Sequence, residues 1–123
     1  MQLYIYCDCS KLEDEDVKSF ADSGRKMIER LATFIEKNDQ LRAELHKNID
    51  KEHPEDIKIG IDFHVKKAKQ LEKPLNFFND LAIEFKQDFV LGLFTNGEPE
   101  DVCYFGFEEG KGDSFMISQY VGL

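Results

Sequence analysis

Ile57-Lys58-Ile59-Gly60-Ile61-Asp62-Phe63-His64-Val65 alternates apolar and polar side chains without exception. That two-residue period belongs to a strand with one buried face. Upstream the period changes. Val17, Phe20, Ala21, Gly24, Met27, Ile28, Leu31, Phe34 and Ile35 recur at three- and four-residue steps, which predicts a long helix with one apolar stripe. Ser10-Lys11-Leu12-Glu13 fits a capping box at its start, and the acids Glu13 to Asp16 suit the positive end of its dipole. Before it, Leu3, Ile5, Cys7 and Cys9 alternate with Gln2, Tyr4, Tyr6 and Asp8, a half-buried strand ending at Ser10. Between helix and central strand, Leu41, Leu45 and Ile49 continue a thinner stripe. It predicts a second, shorter helix running from a break at Asn38-Asp39 to about Asp50, followed by a turn at His53-Pro54-Glu55-Asp56.

Downstream, residues 66–73 fit a helical turn or a loop. Pro74 suits the first turn of a helix whose buried face is Leu75, Phe78, Leu81, Ala82 and Phe85. Three short apolar runs follow at 89–94, 102–107 and 115–121. The loops between them contain Asn96-Gly97-Glu98-Pro99-Glu100 and Gly110-Lys111-Gly112-Asp113, which reads as an antiparallel meander. The expectation is an α+β fold in a single domain, residues 1–123: a mixed sheet of about five strands ending in a three-strand meander, with two or three helices packed on it. A chain of 14.3 kDa with eleven phenylalanines has enough apolar area for one core.

The charge narrows the partners. Twenty-five acidic residues face sixteen basic ones, for a formal net charge of −9. From Thr95 to Asp113 there are six acids and one base, Lys111. Such a field repels nucleic acid and anionic membrane and attracts basic proteins. No window approaches the length of apolar sequence that a membrane span requires, the first residues lack the pattern of a secretory signal, and three cysteines, an odd number, suit a reducing compartment. The expected location is cytoplasmic.

Motifs for chemistry are missing. There is no Gly-x-Ser-x-Gly elbow or reactive-cysteine signature. Cys7-Asp8-Cys9 lacks the spacer and second pair of a zinc site and reads as buried thiols. The acidic glycine loops lack the twelve-residue calcium pattern. Gly106 to Gly112 carries carboxylates where a phosphate would sit. No cofactor is expected. Two rivals to a binding role are a small enzyme built from scattered residues such as Asp62, His64 and Cys103, and an adaptor that binds a peptide through an edge strand.

The acids and their aromatic neighbours are therefore the candidate site. Glu98, Glu100, Asp101, Glu108, Glu109 and Asp113 lie close in sequence to Phe94, Tyr104 and Phe107, with Asp14, Glu15 and Asp16 as a second patch. Aromatics beside charges combine anchoring with electrostatic steering. In size, charge and lack of catalytic motifs the whole chain resembles the bacterial immunity proteins that neutralise nuclease toxins, including those of contact-dependent inhibition systems. That resemblance assigns no individual residue. It implies a basic toxin domain as partner, with carboxylates standing where substrate phosphates would lie.

Overall fold

A computed structural model describes residues 1–10, 17–49 and 56–123, with the side chains of 17–19 outside that description. Five strands and three helices follow in the order β1 (Gln2–Cys7), α1 (Val17–Lys37), β2 (Glu44–Asn48), β3 (Lys58–His64), α2 (Glu72–Phe85), β4 (Asp88–Thr95), β5 (Glu98–Gly106) and α3 (Ser114–Val121). Short 3-10 turns precede β2 (Asp39–Leu41) and α2 (Ala68–Leu71). The strands form one sheet in the order β2-β3-β1-β4-β5. This is an α+β domain.

The apolar positions of the alternating strands all meet on one face. Leu3 and Ile5 of β1, Ile59, Ile61 and Phe63 of β3, and Phe89 and Leu91 of β4 are fully buried there. Against them pack Phe20, Met27, Leu31 and Phe34 of α1, Leu75, Phe78 and Leu81 of α2, and Ile117 and Val121 of α3. Phe34 stacks on Phe77, and Phe78, Phe89 and Phe105 continue edge-on and tilted contacts through the core. The helices thus cover one face of the sheet, and the face opposite carries the alternate residues of each strand, polar or aromatic in β1 and, apart from Gly60, in β3, and Val90, Gly92 and Phe94 in β4.

Three expectations need correction. The sheet is antiparallel at every pairing rather than mixed. Helix α1 does connect two parallel strands, β1 and β2, and α2 connects β3 and β4, but each pair leaves a slot that a third, antiparallel strand fills. The first six elements therefore make two interlocked split βαβ units, the ferredoxin-like arrangement, a fold that hosts many unrelated functions.

The second helix is absent, and residues 44–48 form edge strand β2 instead. Leu41, Leu45 and Ile49 are spaced by four, a step that returns to the same side in a strand as well as in a helix. What stops α1 is Asn38, whose Nδ2 donates to the Phe34 carbonyl at 2.8 Å, and Arg42 then turns left-handed at φ 50°. The third meander strand is also absent: 115–121 lies within α3. Its apolar run suits a strand by composition, but Ile117, Ser118 and Val121 are the buried positions, a helical spacing. Residues 11–13 of the expected capping box and most of the turn around Pro54 lie outside the described residues.

Candidate functional site

Strand β5 begins earlier than its apolar residues indicate. Asn96 and Gly97 both have positive φ, 52° and 82°, the two-residue turn that matches the twist of a hairpin. Glu98, Pro99, Glu100 and Asp101 therefore lie on the strand, not in a loop, paired to Thr95, Phe94, Leu93 and Gly92. All four are exposed on the outer edge of the sheet. Charge and proline on an edge strand discourage the addition of another strand, which weighs against the adaptor reading.

A bulge then changes the direction of the side chains. The pairing shifts between Leu91–Cys103 and Gly92–Asp101, leaving Val102 as the extra residue. Asp101 and Tyr104, an odd number of positions apart, consequently share the face turned away from the helices. Tyr104 is half exposed.

The chain after β5 folds back along the same edge. Tyr104, Glu109, Lys111, Asp113, Met116 and Tyr120 line a shallow groove of about 170 Å³ between β5 and α3. Its loop is held rigidly. The Asn79 side chain clamps Gly112, donating to its carbonyl at 3.0 Å and accepting from its N–H at 2.8 Å. Asp88 Oδ1 accepts from the backbone N–H groups of Glu108 and Glu109 at 2.9 and 3.1 Å. Met116 and Tyr120 are about half exposed in the groove, while the exposed Phe107 and Phe115 border neighbouring hollows.

Asp113 has a structural task as well. Its Oδ1 accepts from Met116 N–H at 3.0 Å and caps α3. Asp113→Ala should cost about 1 kcal/mol in a denaturant melt, while Asp113→Asn keeps the cap and should stay within a few tenths. Asparagine removes only the charge, so any effect of that variant on binding reports electrostatics alone.

On the open face, aromatic rings run across the sheet. His46 meets Tyr6 edge-on at 5.3 Å, Tyr6 stacks on Tyr4 at 4.7 Å, and Tyr4 meets Phe94 edge-on at 5.3 Å. The Tyr4 hydroxyl donates to Asp101 and the Tyr6 hydroxyl to Asp62. Alternation assigns Tyr4 to the polar side, and it does lie there, yet it is only 2% exposed because its neighbours roof it over. Burial first, then the carboxylate that each hydroxyl faces, pushes both tyrosines well above the usual phenol range. They stay neutral at physiological pH.

The scattered enzyme site does not assemble. Asp62 and His64 share the open face of β3, but Cys103 points to the helix side of β5, three strands away, about 14 Å. His64 instead borders a separate hollow with Met1, Arg42, Lys66 and Gln70. Burial raises the Cys7 and Cys103 thiols, and burial with the nearby Asp8 brings Cys9 up to about 11. All three are free, and Cys7 Sγ packs 3.3 Å from Met27 Sδ. Raised thiols are poor nucleophiles.

Of the sequence-predicted residues, Tyr104, Glu109 and Asp113 come together in one groove. Glu98, Glu100 and Asp101 lie further along the same strand, Asp101 on the open face with Tyr104, Glu98 and Glu100 on the helix side. Glu108 lies beside the groove in the same loop. Asp14, Glu15 and Asp16 lie outside the described residues. Sequence reasoning missed Met116 and Tyr120, because a strand reading of 115–121 gave no reason to place them beside Tyr104. It also missed the grouping of Tyr6, His46 and Asp62, because 44–48 was read as helix. No helix among the described residues is long and apolar enough to cross a membrane. Comparison with known proteins finds no matching family model, no similar curated protein and no similar solved structure.

Proposed function

We propose that this chain is a binding domain for a basic protein, and that it acts as immunity proteins do, by occluding the cationic cleft of a nuclease toxin in the cytoplasm. One observation supports this most directly. Glu98 and Glu100 stand exposed on the β5 edge, and among the described residues no lysine or arginine pairs with them. Ion pairs occur elsewhere, between Arg25 and Asp22 and between Arg30 and Glu84. These uncompensated acids lie on the strand that borders the groove lined by Tyr104, Met116 and Tyr120, which offers aromatic anchors of the kind on which interface affinity depends. A rigid loop reduces the ordering cost of binding.

The division of labour gives the test. The product of the adjoining reading frame, co-expressed with this chain, should be retained in a pull-down at low salt and detoxified. Glu98→Lys with Glu100→Lys should slow association about tenfold and flatten its salt dependence, because rim charges act on encounter. Tyr104→Ala should instead hasten dissociation, by about 2 kcal/mol if it is a central anchor. Binding kinetics that neither substitution alters would refute the proposal.

A further inference from the structure

At the opposite edge of the sheet lies a group of side chains that the binding proposal does not use. Glu44 and His46 are two apart on β2 and share its open face, and Glu44 pairs directly with Asp62 of β3. Among the described residues, Glu44, His46 and Asp62 bring one ligand atom each within 4.8 Å of one another. Two carboxylates directly opposed on neighbouring strands repel each other, so their juxtaposition calls for a positive charge between them.

The geometry around Asp62 adds a second, independent indication. Asp62 is 7% exposed. One of its oxygens accepts from the Tyr6 hydroxyl, which fixes the carboxylate plane. The other lies 3.0 Å from His46 Nε2. That nitrogen has essentially no solvent access and makes no acceptably angled hydrogen bond. A buried polar atom left without a hydrogen bond is costly. Donor atoms that are close but poorly aligned for a hydrogen bond suit a shared cation instead. Zinc–nitrogen and zinc–oxygen bonds of 2.0–2.2 Å in tetrahedral geometry separate their ligand atoms by roughly 3.4 Å, so His46 and Asp62 need to move apart by only a few tenths.

The local backbone keeps this space open. His46 is paired with Gly60, which contributes no side chain on that face. A Cβ there would come within 2.7 Å of Tyr6 Cα and closer still to the Ile5 carbonyl.

We propose that Glu44, His46 and Asp62 bind a divalent cation of the zinc class, with the remaining coordination position open to water. One imidazole with two carboxylates suits zinc and its late first-row neighbours better than calcium, which takes six to eight oxygens. Tyr6 is a positioning residue, the outer partner that orients the Asp62 carboxylate as such partners do in metal sites. The site lies about 19 Å across the sheet from β5, so it stands or falls apart from the toxin-binding proposal.

Protein stripped with chelator and dialysed should take up one Zn²⁺ per chain in titration calorimetry, and zinc should raise its melting temperature. Glu44→Gln, at an exposed position, and His46→Ala, at a partly exposed one, should each weaken binding at least tenfold and abolish the thermal shift, with circular dichroism showing the fold intact. Tyr6→Phe should weaken it about tenfold, the usual loss for an outer partner. Cys9→Ser should change nothing. Absence of one-to-one binding, binding that Glu44→Gln and His46→Ala leave within threefold of the original, or loss of zinc in Cys9→Ser would overturn the assignment and leave a simple histidine–carboxylate contact.

Discussion

Gly92→Ala is expected to destabilise the fold by about 3 kcal/mol, the upper end for overpacking a filled interior. Gly92 lies on β4 directly beneath the ring of Tyr4, and an added Cβ would sit well inside 3.0 Å of Tyr4 Cζ, the Tyr4 hydroxyl oxygen and the Glu100 carbonyl oxygen. The ring cannot swing away cheaply. It stacks on Tyr6, meets Phe94 edge-on, and donates its hydroxyl proton to Asp101. The carbonyl belongs to the partner strand, so moving it separates β4 from β5. Against a total stability of about 5–15 kcal/mol such a loss is large, and it disturbs the strand that carries Glu98 and Glu100. Gly24→Ala provides the contrast. That Cβ meets the flexible end of Ile59, Cδ1 at 2.8 Å, and alanine gains about 0.5–1 kcal/mol in a helix interior, so the change should be near neutral. Chemical denaturation of the two variants checks both. Equal losses at the two positions would show that the Tyr4 roof is not tightly packed.

Alkaline pH should unfold this protein earlier than its core would indicate. Tyr4 and Tyr6 ionise near 10.0 in an unfolded chain and well above it when folded. The native state therefore holds protons that the unfolded state releases. Their contribution is fully present below pH 10, and it is lost progressively as pH rises beyond that value. For two tyrosines the limiting slope is about 2.7 kcal/mol per pH unit. Solvent screening leaves that slope unchanged and narrows the pH range over which it acts. Melting temperatures recorded across the alkaline range should fall steeply above pH 10 and stay level through neutral pH if these two groups dominate. Tyr6→Phe removes one of the two ionisations and should make the fall shallower. An unchanged slope in that variant would locate the alkaline sensitivity elsewhere.

These two effects originate on the same surface, and it is the surface that the primary sequence reveals least. The alternation of β3 and the apolar stripe of α1 are legible because each element buries one face, and burial writes its period into the chain. An α+β fold follows from them, whereas the count of five strands agrees only because 115–121, read as a strand, stands in for β2, read as a helix. Two segments carry no period that separates strand from helix. Leu41, Leu45 and Ile49 satisfy a helix and a strand alike, and Phe115 to Val121 is apolar on too many positions to show a period. Their identity was settled by what they pack against: β2 by pairing along β3, and α3 by Ile117 and Val121 docking on the core beside an Asp113 cap.

The acidic residues of β5 were legible as residues but not as a surface. Their sign and number are written in the sequence. Whether Asp101 and Tyr104 face the same way depends on one extra residue, Val102, in the pairing with β4. A bulge has no signature in local composition, since it arises from the fit of two strands. Likewise, whether Glu109 and Asp113 lie near Tyr104 depends on α3 returning along the edge.

Sequence alone determined the single core, the negative field and the missing catalytic motifs, because these depend on which side chains are present and on their local period. The tertiary structure alone decided which side chains meet: Glu44 opposite Asp62, His46 against Tyr6, and Tyr104 beside Met116 and Tyr120. Those meetings join residues from 12 to 40 positions apart, a separation over which local propensity carries no information and only strand register and helix packing set the distance.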